Sequence, residues 1–566
     1  MIDGRSRNVR IGQLAVSLAV AIALCLPHSS GAAEPSDDEI LQILRARIDT
    51  FQQSVGIVVG IVDSSGTRIV GYGPRHAGGA DVVNGTAIYE IGSISKVFTS
   101  ILLADMVHKG EVSLRDPVSA YLPSEVQLPT RSGREISLLD LATHRSGLPR
   151  MPEQMQMTED GGASRFPLSQ MYAFLSTTTL SYDIGERYYY SNLAFGLLGQ
   201  ALANRAGSEF ETLLLERVCR PLGLTDTRVS LSGEQELRLA GTHNWHHGKT
   251  PPLEWDTMAA AGGVRSTAKD LLTFLAANMD LSSALGFPLQ MSHLDRREAS
   301  GSALRMGLGW HILSNHGREL IWHSGATFGN MTFAGFDKET RRGVVVLSNA
   351  RGIIDDIGIH LLDPDSKLAD FKEVVPLPAA VDVPFEKLER YAGEYELGPN
   401  SVLNIDAEDG KLYASLNEGL RTDLLAASET EVFSRMSPGV MEFDVDRAGE
   451  VDGLTVRVYG YEQEARKLEH YRRPPQRTQV ASKGDLARFV GRYRFPDEQV
   501  AVVGLADSQL SVSVGGQLRM PLVPTKDGFF AQAAEAELMF VEDEAGHVTE
   551  VVVHQEGGHR APRIGD

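Results

Sequence analysis

The alternation of apolar and polar positions divides the chain into a helix-rich first part and a strand-rich second part. Near the start, Ile40, Leu41, Leu44 and Ile48 recur at helical spacing, so residues 36–53 read as an amphipathic helix. Residues 54–73 alternate instead. Val55–Val62 and Arg68–Tyr72 flank Ser64–Ser65–Gly66, the pattern of a hairpin with a glycine turn. Helical patterns broken by Gly and Pro fill 93–225. Strands return at Glu319–Trp322, Asn330–Phe336 and Gly343–Leu347, with the polar turn Asp337–Arg342 before the last, and a helix follows at about 352–362. Strands at both ends with helices between predict an α+β domain whose sheet is built from both chain ends.

Past the Pro- and Val-rich stretch Val374–Pro384, helical periodicity stops and short alternating strands take over. Two similar units follow. Tyr391–Ala392–Gly393–Glu394–Tyr395 of the first recurs as Phe489–Val490–Gly491–Arg492–Tyr493 of the second, and Pro474–Gly484 separates them. Each holds roughly six to eight strands and is predicted to be a small antiparallel barrel or sandwich. Neither contains a set of catalytic residues.

The first residues have another character. Arg5, Arg7 and Arg10 precede the apolar stretch Ile11–Leu26, and the small residues Gly31, Ala32 and Ala33 follow. That is the layout of a secretory signal peptide cleaved after Ala33, which places the mature chain in the periplasm or outside the cell. A retained anchor fits less well, because the stretch is shorter than a spanning helix. Leu24 before Cys25 argues against a lipoprotein, and the lack of paired arginines favours the general secretory route. No other stretch is apolar and long enough to span a bilayer.

A length of 566 residues exceeds a single core and implies two to four domains. Loss of three Arg and one Asp with residues 1–33 takes the formal net charge from −20 to −22. Such an acidic chain is a poor partner for nucleic acid or an anionic membrane. After cleavage only Cys219 remains, so no internal disulfide forms, and its apolar setting reads as a small buried hydrophobe. No Cys/His cluster has zinc spacing; His243, His246 and His247 read as loop residues. No metal or cofactor is expected.

Candidate chemistry begins at Ser93 and Lys96, three residues apart and therefore on one face of a helix. A desolvated lysine of lowered pKa can take the proton that keeps a serine hydroxyl from being a nucleophile. The S-x-x-K pattern occurs twice. At the second site, Ser266 to Lys269, Thr267 and Asp270 read as a capping box opening the helix Leu271–Ala277. Tyr190–Ser191–Asn192 places a phenol and an amide together, although taken alone it is better accounted for by an aromatic cluster opening a helix. His323–Ser324–Gly325 ends the apolar strand Leu320–Trp322, where a glycine lets substrate backbone approach. Other His-x-Gly triplets, at His76, His108 and His246, follow no strand.

Taken together, Ser93–Lys96, Tyr190–Asn192 and His323–Gly325 resemble, in order and setting, the penicillin-recognising serine hydrolases, specifically the class C β-lactamase and D-amino-acid peptidase group. Leu139–Pro149, Pro221–Thr227, Ala261–Val264 and Gly307–Trp310 also look like that group, and the resemblance covers residues 36–365. It implies a β-lactamase/transpeptidase-like domain. Ser93 would form the acyl-enzyme, Lys96 and Tyr190 would share acid and base work, and Asn192 would position Lys96 and the substrate amide. An oxyanion hole from the Ser93 and Ala326 N–H groups would lie beside Ser324 and Gly325. The chain departs from class C β-lactamases at His323, where they usually carry lysine. A neutral imidazole anchors a substrate carboxylate poorly, which points away from penicillins.

D-aminopeptidases of this group also carry two barrels, so the β-units are expected to be lipocalin-like. The expected divisions are a signal peptide at 1–33, the catalytic domain at 34–370, linkers at 371–383 and 476–484, and barrels at 384–475 and 485–566. The leading expectation is an exported serine hydrolase acting on D-amino-acid-containing peptides or amides. β-Lactam hydrolysis and ester hydrolysis are the alternatives on the same fold. A non-catalytic sensor of β-lactams or peptidoglycan is the alternative of another class. The barrels are either covers over the cleft or surfaces for oligomerisation.

Overall fold

The computed structural model describes residues 35–566 except 153–154, 156–157, 159–164, 181–182, 187, 281, 295, 301–303, 372–377, 399–400, 409, 417–420, 435–436, 438, 447–448, 459–460, 469–485, 496–499, 507–508, 515–519, 525–528, 532–535, 544–546, 555–558 and 566. The signal-peptide reading at 1–33 and the linker reading at 476–484 lie outside the described residues. No helix among them is long and apolar enough to cross a membrane.

Helix α1 (Asp37–Arg45) begins where Ser36 and Glu39 cap each other: the Ser36 Oγ accepts from the Glu39 N–H, and the Ser36 N–H donates to the Glu39 carboxylate. The hairpin follows as β1 (Ile57–Asp63) and β2 (Gly66–Tyr72), turning on Gly66 at φ +116°. Strands β3 (Ile88–Glu90) and β4 (Arg265–Thr267) pair separately. Strands β5 (Arg297–Ser300), β6 (Leu304–Met306), β7 (His311–Asn315), β8 (Arg318–Ala326), β9 (Met331–Asp337) and β10 (Arg342–Ser348) complete an antiparallel sheet in the order β2-β1-β10-β9-β8-β7-β6-β5. β1 lies against β10, with Val59 opposite Val346, so both chain ends build the sheet as expected. Strands β5 to β7 escaped the sequence reading. β6 spans three residues, and β7 opens with three consecutive buried residues rather than alternating ones.

Four more helices matter for the site: α2 (Ser95–His108), α3 (Asn192–Ala206), α4 (Ala268–Met279) and α5 (Asp355–Leu362). One face of the sheet packs on α1 and α5 through Ile40, Leu44, Val59, Trp322, Val346 and Ile357. The other packs beneath α2, α3 and α4 through Val58, Ile321 and Val345. Every α2 residue from Ser95 to Met106 is buried, so this helix runs through the centre of the domain.

The competing pair Ser266 and Lys269 lies elsewhere. Thr267 caps α4 by accepting from the Asp270 N–H at 3.1 Å, but the box is only half formed. The Asp270 carboxylate instead accepts from the Asp226 N–H at 2.8 Å and the Thr227 hydroxyl at 2.9 Å, holding the 226–227 loop. Ser266 is buried against Thr227 and Lys269 is exposed.

Each β-unit is a closed eight-stranded antiparallel barrel. In the first, β11 (Gly393–Gly398) pairs with β18 (Tyr461–Lys467); in the second, β19 (Gly491–Arg494) pairs with β26 (His559–Gly565). The repeated motif has one job in both. The Tyr395 hydroxyl donates to the Tyr391 carbonyl at 2.7 Å, and the Tyr493 hydroxyl to the Phe489 carbonyl at 2.8 Å. A phenol buried in an apolar barrel needs that partner. The first barrel belongs to the same compact unit as the α+β domain, and the second forms a unit of its own.

Candidate active site

Ser93 sits in a tight turn, Gly92–Ile94, directly before α2. Gly92 has φ +52°, and a Cβ placed there would stand 2.7 Å from the Ala326 nitrogen. Only glycine lets the serine turn come this close to the end of β8. Ser93 is half-buried while its neighbours on both sides are buried.

The three sequence motifs converge here. Lys96, fully buried as the second residue of α2, reaches the Ser93 Oγ at 3.0 Å, the Asn192 Oδ1 at 2.7 Å and the Ala261 carbonyl at 2.7 Å. Burial, and then the Arg150 guanidinium, hold its pKa well below the usual lysine value. A neutral amine has two N–H bonds and one lone pair. When the amine is neutral, Asn192 Oδ1 and the Ala261 carbonyl, which can only accept, take its two N–H bonds and the lone pair faces the Ser93 hydroxyl.

The Tyr190 hydroxyl donates to the same Ser93 Oγ at 2.6 Å. Burial pushes this phenol up to about 12, against the lowering effects of Arg150 and of the bond to Ser93. The phenol therefore keeps its proton at neutral pH. Tyr190 and Asn192 are positioned by Ser191, which caps α3 by accepting from the Ala194 N–H at 3.0 Å.

His323 lies on β8 opposite Ala334 and is 2 % exposed. Its Nδ1 bonds the Ser324 carbonyl at 2.6 Å, so Nδ1 carries the proton. Burial, followed by His311 and Lys96, holds the ring well below the ordinary histidine value. It is a neutral wall of the site rather than a cation in it. Ser324 and Ala326 are half-buried beside it.

Gly325 closes the floor. A Cβ there would meet the Ile91 carbonyl at 1.9 Å and the Thr332 Oγ1 at 2.3 Å, where Thr332 donates to that same carbonyl. Gly325→Ala is expected to destabilise the domain by about 2–4 kcal/mol, since backbone rather than a movable side chain blocks the methyl. Denaturant unfolding measures it, and a loss under ~0.5 kcal/mol contradicts the packing described.

Sequence reasoning missed three contributors. His144, buried with φ +57°, stacks on Tyr190 at 4.3 Å between centroids and accepts from the Ser191 N–H at 3.1 Å. Arg150 lies over the same ring, with its Cζ 4.9 Å from the Tyr190 centroid. The Ala261 carbonyl fixes Lys96. His144 and Ala261 fall inside segments already singled out, but backbone conformation and a carbonyl's direction leave no mark in residue identity. Cys219 is buried, with its thiol pushed up to about 12 by burial, as its apolar setting suggested. His243 is buried and bonds the Asn349 carbonyl at 2.7 Å, and no group of metal-ligating side chains occurs among the described residues.

The profile of the Beta-lactamase family matches residues 44–358, more than half of the chain. The chain belongs to the beta-lactamase family. Members are serine hydrolases, and this chain is one, with the S-x-x-K, Y-x-N and H-x-G motifs gathered at one site. A domain of unknown function (DUF3471) matches residues 377–470, the region of the first barrel. The D-alanyl-D-alanine-carboxypeptidase/endopeptidase AmpH of Escherichia coli K12 is 29% identical over 314 residues, 52% of this chain and 79% of that protein. A Beta-lactamase of Pseudomonas fluorescens is 27% identical over 48% of this chain and 75% of its own length. Among solved structures, a β-lactamase/D-alanine carboxypeptidase from Yersinia pestis aligns with a TM-score of 0.47 at 24% identity, covering 56% of this chain and 92% of that one.

Proposed function

We propose that the chain is an exported serine hydrolase that cleaves D-amino-acid-containing peptides or amides through an acyl-Ser93 intermediate. The observation that carries this reading is the neutral, buried His323 beside an otherwise complete Ser93–Lys96–Tyr190–Asn192 site. A neutral imidazole gives the carboxylate of a penicillin no cation to pair with at this position, whereas an amide or ester needs none. A carboxypeptidase substrate also ends in a carboxylate, so of the two activities named for the AmpH relative it is the endopeptidase one that supports this direction.

In acylation the Lys96 lone pair takes the Ser93 proton as the Oγ–carbon bond forms. The Ser93 and Ala326 N–H groups hold the resulting oxyanion. Collapse breaks the carbon–nitrogen bond, and Tyr190 gives its proton to the departing amine, to be restored from Lys96. Water then enters by the reverse route and frees Ser93.

A panel of D-alanine p-nitroanilide, its L-isomer, nitrocefin and p-nitrophenyl acetate tests the reading. The expected order puts the D-anilide first in kcat/KM, at least about tenfold above nitrocefin and above the L-isomer. Preference for nitrocefin overturns the peptidase assignment in favour of a β-lactamase, and preference for the ester makes the chain an esterase.

A further inference from the structure

Among the described residues, the first barrel meets the α+β domain around Val458 and Ser437, and that contact leads to the strand end carrying Ala326. Val458, at the end of the barrel strand β17 (Val451–Val458), is buried with Phe371 against Trp245 and Ile353. The His246 Nε2 bonds the carbonyl of Ser437, also in the barrel, at 2.9 Å. The Arg351 guanidinium lies over the Trp245 ring, 5.0 Å from its centroid, and its Nη1 donates to the Thr327 carbonyl at 3.1 Å. Thr327 is the residue after Ala326. The same loop holds the far side of the β8–β9 turn, where the His243 N–H donates to the Gly329 carbonyl at 3.1 Å. A Cβ on Gly329 would stand 2.3 Å from that of Thr242, so loop and turn are in tight contact.

From this continuous path we infer that the first barrel is a buttress of the active site: it clamps the 242–250 loop, and through Trp245 and Arg351 that loop sets the position of the Ala326 N–H. Arg351 and Trp245 are positioning residues; neither touches the reacting atoms. The proposal rests on the acyl-serine reading, in which that N–H holds the oxyanion. The physical basis is that an oxyanion donor acts through its fixed direction, so a small displacement weakens it in the transition state more than in substrate binding. Cation–π stacking and a charged donor to a carbonyl are directional contacts that can transmit the barrel's position.

The experiment uses the full chain and normalises kcat to active sites titrated with a fluorophosphonate, which removes any loss of folded protein. Trp245→Ala, Arg351→Met and, from the barrel side, Val458→Asp are each expected to lower kcat per titrated site about tenfold, with KM moving less than about twofold. Trp245→Phe and Arg351→Lys, which keep the ring and the cation, are expected to stay within about threefold of the parent. Should Val458→Asp fail to yield folded protein, His246→Ala, which removes the loop's bond to the Ser437 carbonyl of the barrel, replaces it as the variant that cuts the barrel contact. Unchanged kcat in the barrel-side variant overturns the proposal, and so does a rise in KM alone, which would make the barrel a substrate cover. Failure of the acyl-serine reading looks different: the parent enzyme would not titrate, or Ser93→Ala would titrate equally.

Discussion

Ser93→Ala is expected to abolish the fluorophosphonate adduct and to lower kcat/KM on the best amide substrate by at least about a thousandfold, with the fold intact. Ser93 is half-buried and its hydroxyl meets Lys96 and Tyr190 of the site itself, so the expected loss is chemical rather than structural. Lys96→Gln should cost nearly as much. It removes the lone pair that the Asn192 and Ala261 acceptors direct at Ser93. The two losses should not add, because the residues act as one unit. A pH profile separates base from scaffold. The base works unprotonated, so kcat/KM rises with pH through the pKa of Lys96, and that limb should lie well below the usual lysine range. Arg150 is the second cause of that lowering. Arg150→Gln removes a positive neighbour, favours the ammonium and should move the limb to higher pH. A limb that stays in place would mean that burial alone sets the base, and full activity in Ser93→Ala would refute the nucleophile.

The second large effect concerns acid stability. His144, His293, His311 and His323 are buried in the α+β domain and their pKa values are lowered, that of His311 to about 4 and that of His293 to about 3. Burial is the first cause in every case. Above the ordinary histidine value both folded and unfolded rings are neutral and contribute no pH dependence. Between that value and the lowered one, the unfolded chain binds protons that the folded chain does not, so stability falls as pH falls. For His311 alone the change from 6.5 to about 4 corresponds to on the order of 3 kcal/mol once pH is below both. Asp355, raised to about 7 by burial, works in the opposite sense, as do the raised carboxyls of Glu90 and Asp270, but the lowered rings outnumber them, since burial also lowers His76, His243, His246 and His247. Denaturant unfolding should therefore weaken steadily from pH 7 to pH 5, and His311→Gln should flatten that slope. A midpoint constant over this interval would mean that the rings are protonated in the folded state.

How far the site could be read from residues alone differs between its parts. The spacing of Ser93 and Lys96 is a local property of a helix, and so is the cap that Ser191 places on α3. Both were legible. So was the structural nature of the rival pair at Ser266, because Thr267 caps its own helix. The reciprocal half of that capping box was not legible, since Asp270 is drawn away by Asp226 and Thr227, distant in sequence. Of the strands that were missed, β6 is too short at three residues to show a period, and β7 opens with three consecutive buried residues and so lacks the alternation that marks a strand. The barrels were legible as strands and as a repeat, while closure depends on which first and last strands meet.

By itself the sequence determined the order of the elements, the three motifs, the two repeated β-units and the residue types that the chemistry needs. These follow from period, capping and turn chemistry, which act over a few residues. Only the tertiary structure decided the state of those residues. Lys96 has a lowered pKa because the folded domain buries it and brings Arg150 near, and its lone pair is aimed because Asn192 and Ala261 arrive from two other helices. His323 is neutral because β8 turns it into the core beside His311. Desolvation and direction are properties of the surrounding volume, and that volume is filled by residues far apart along the chain.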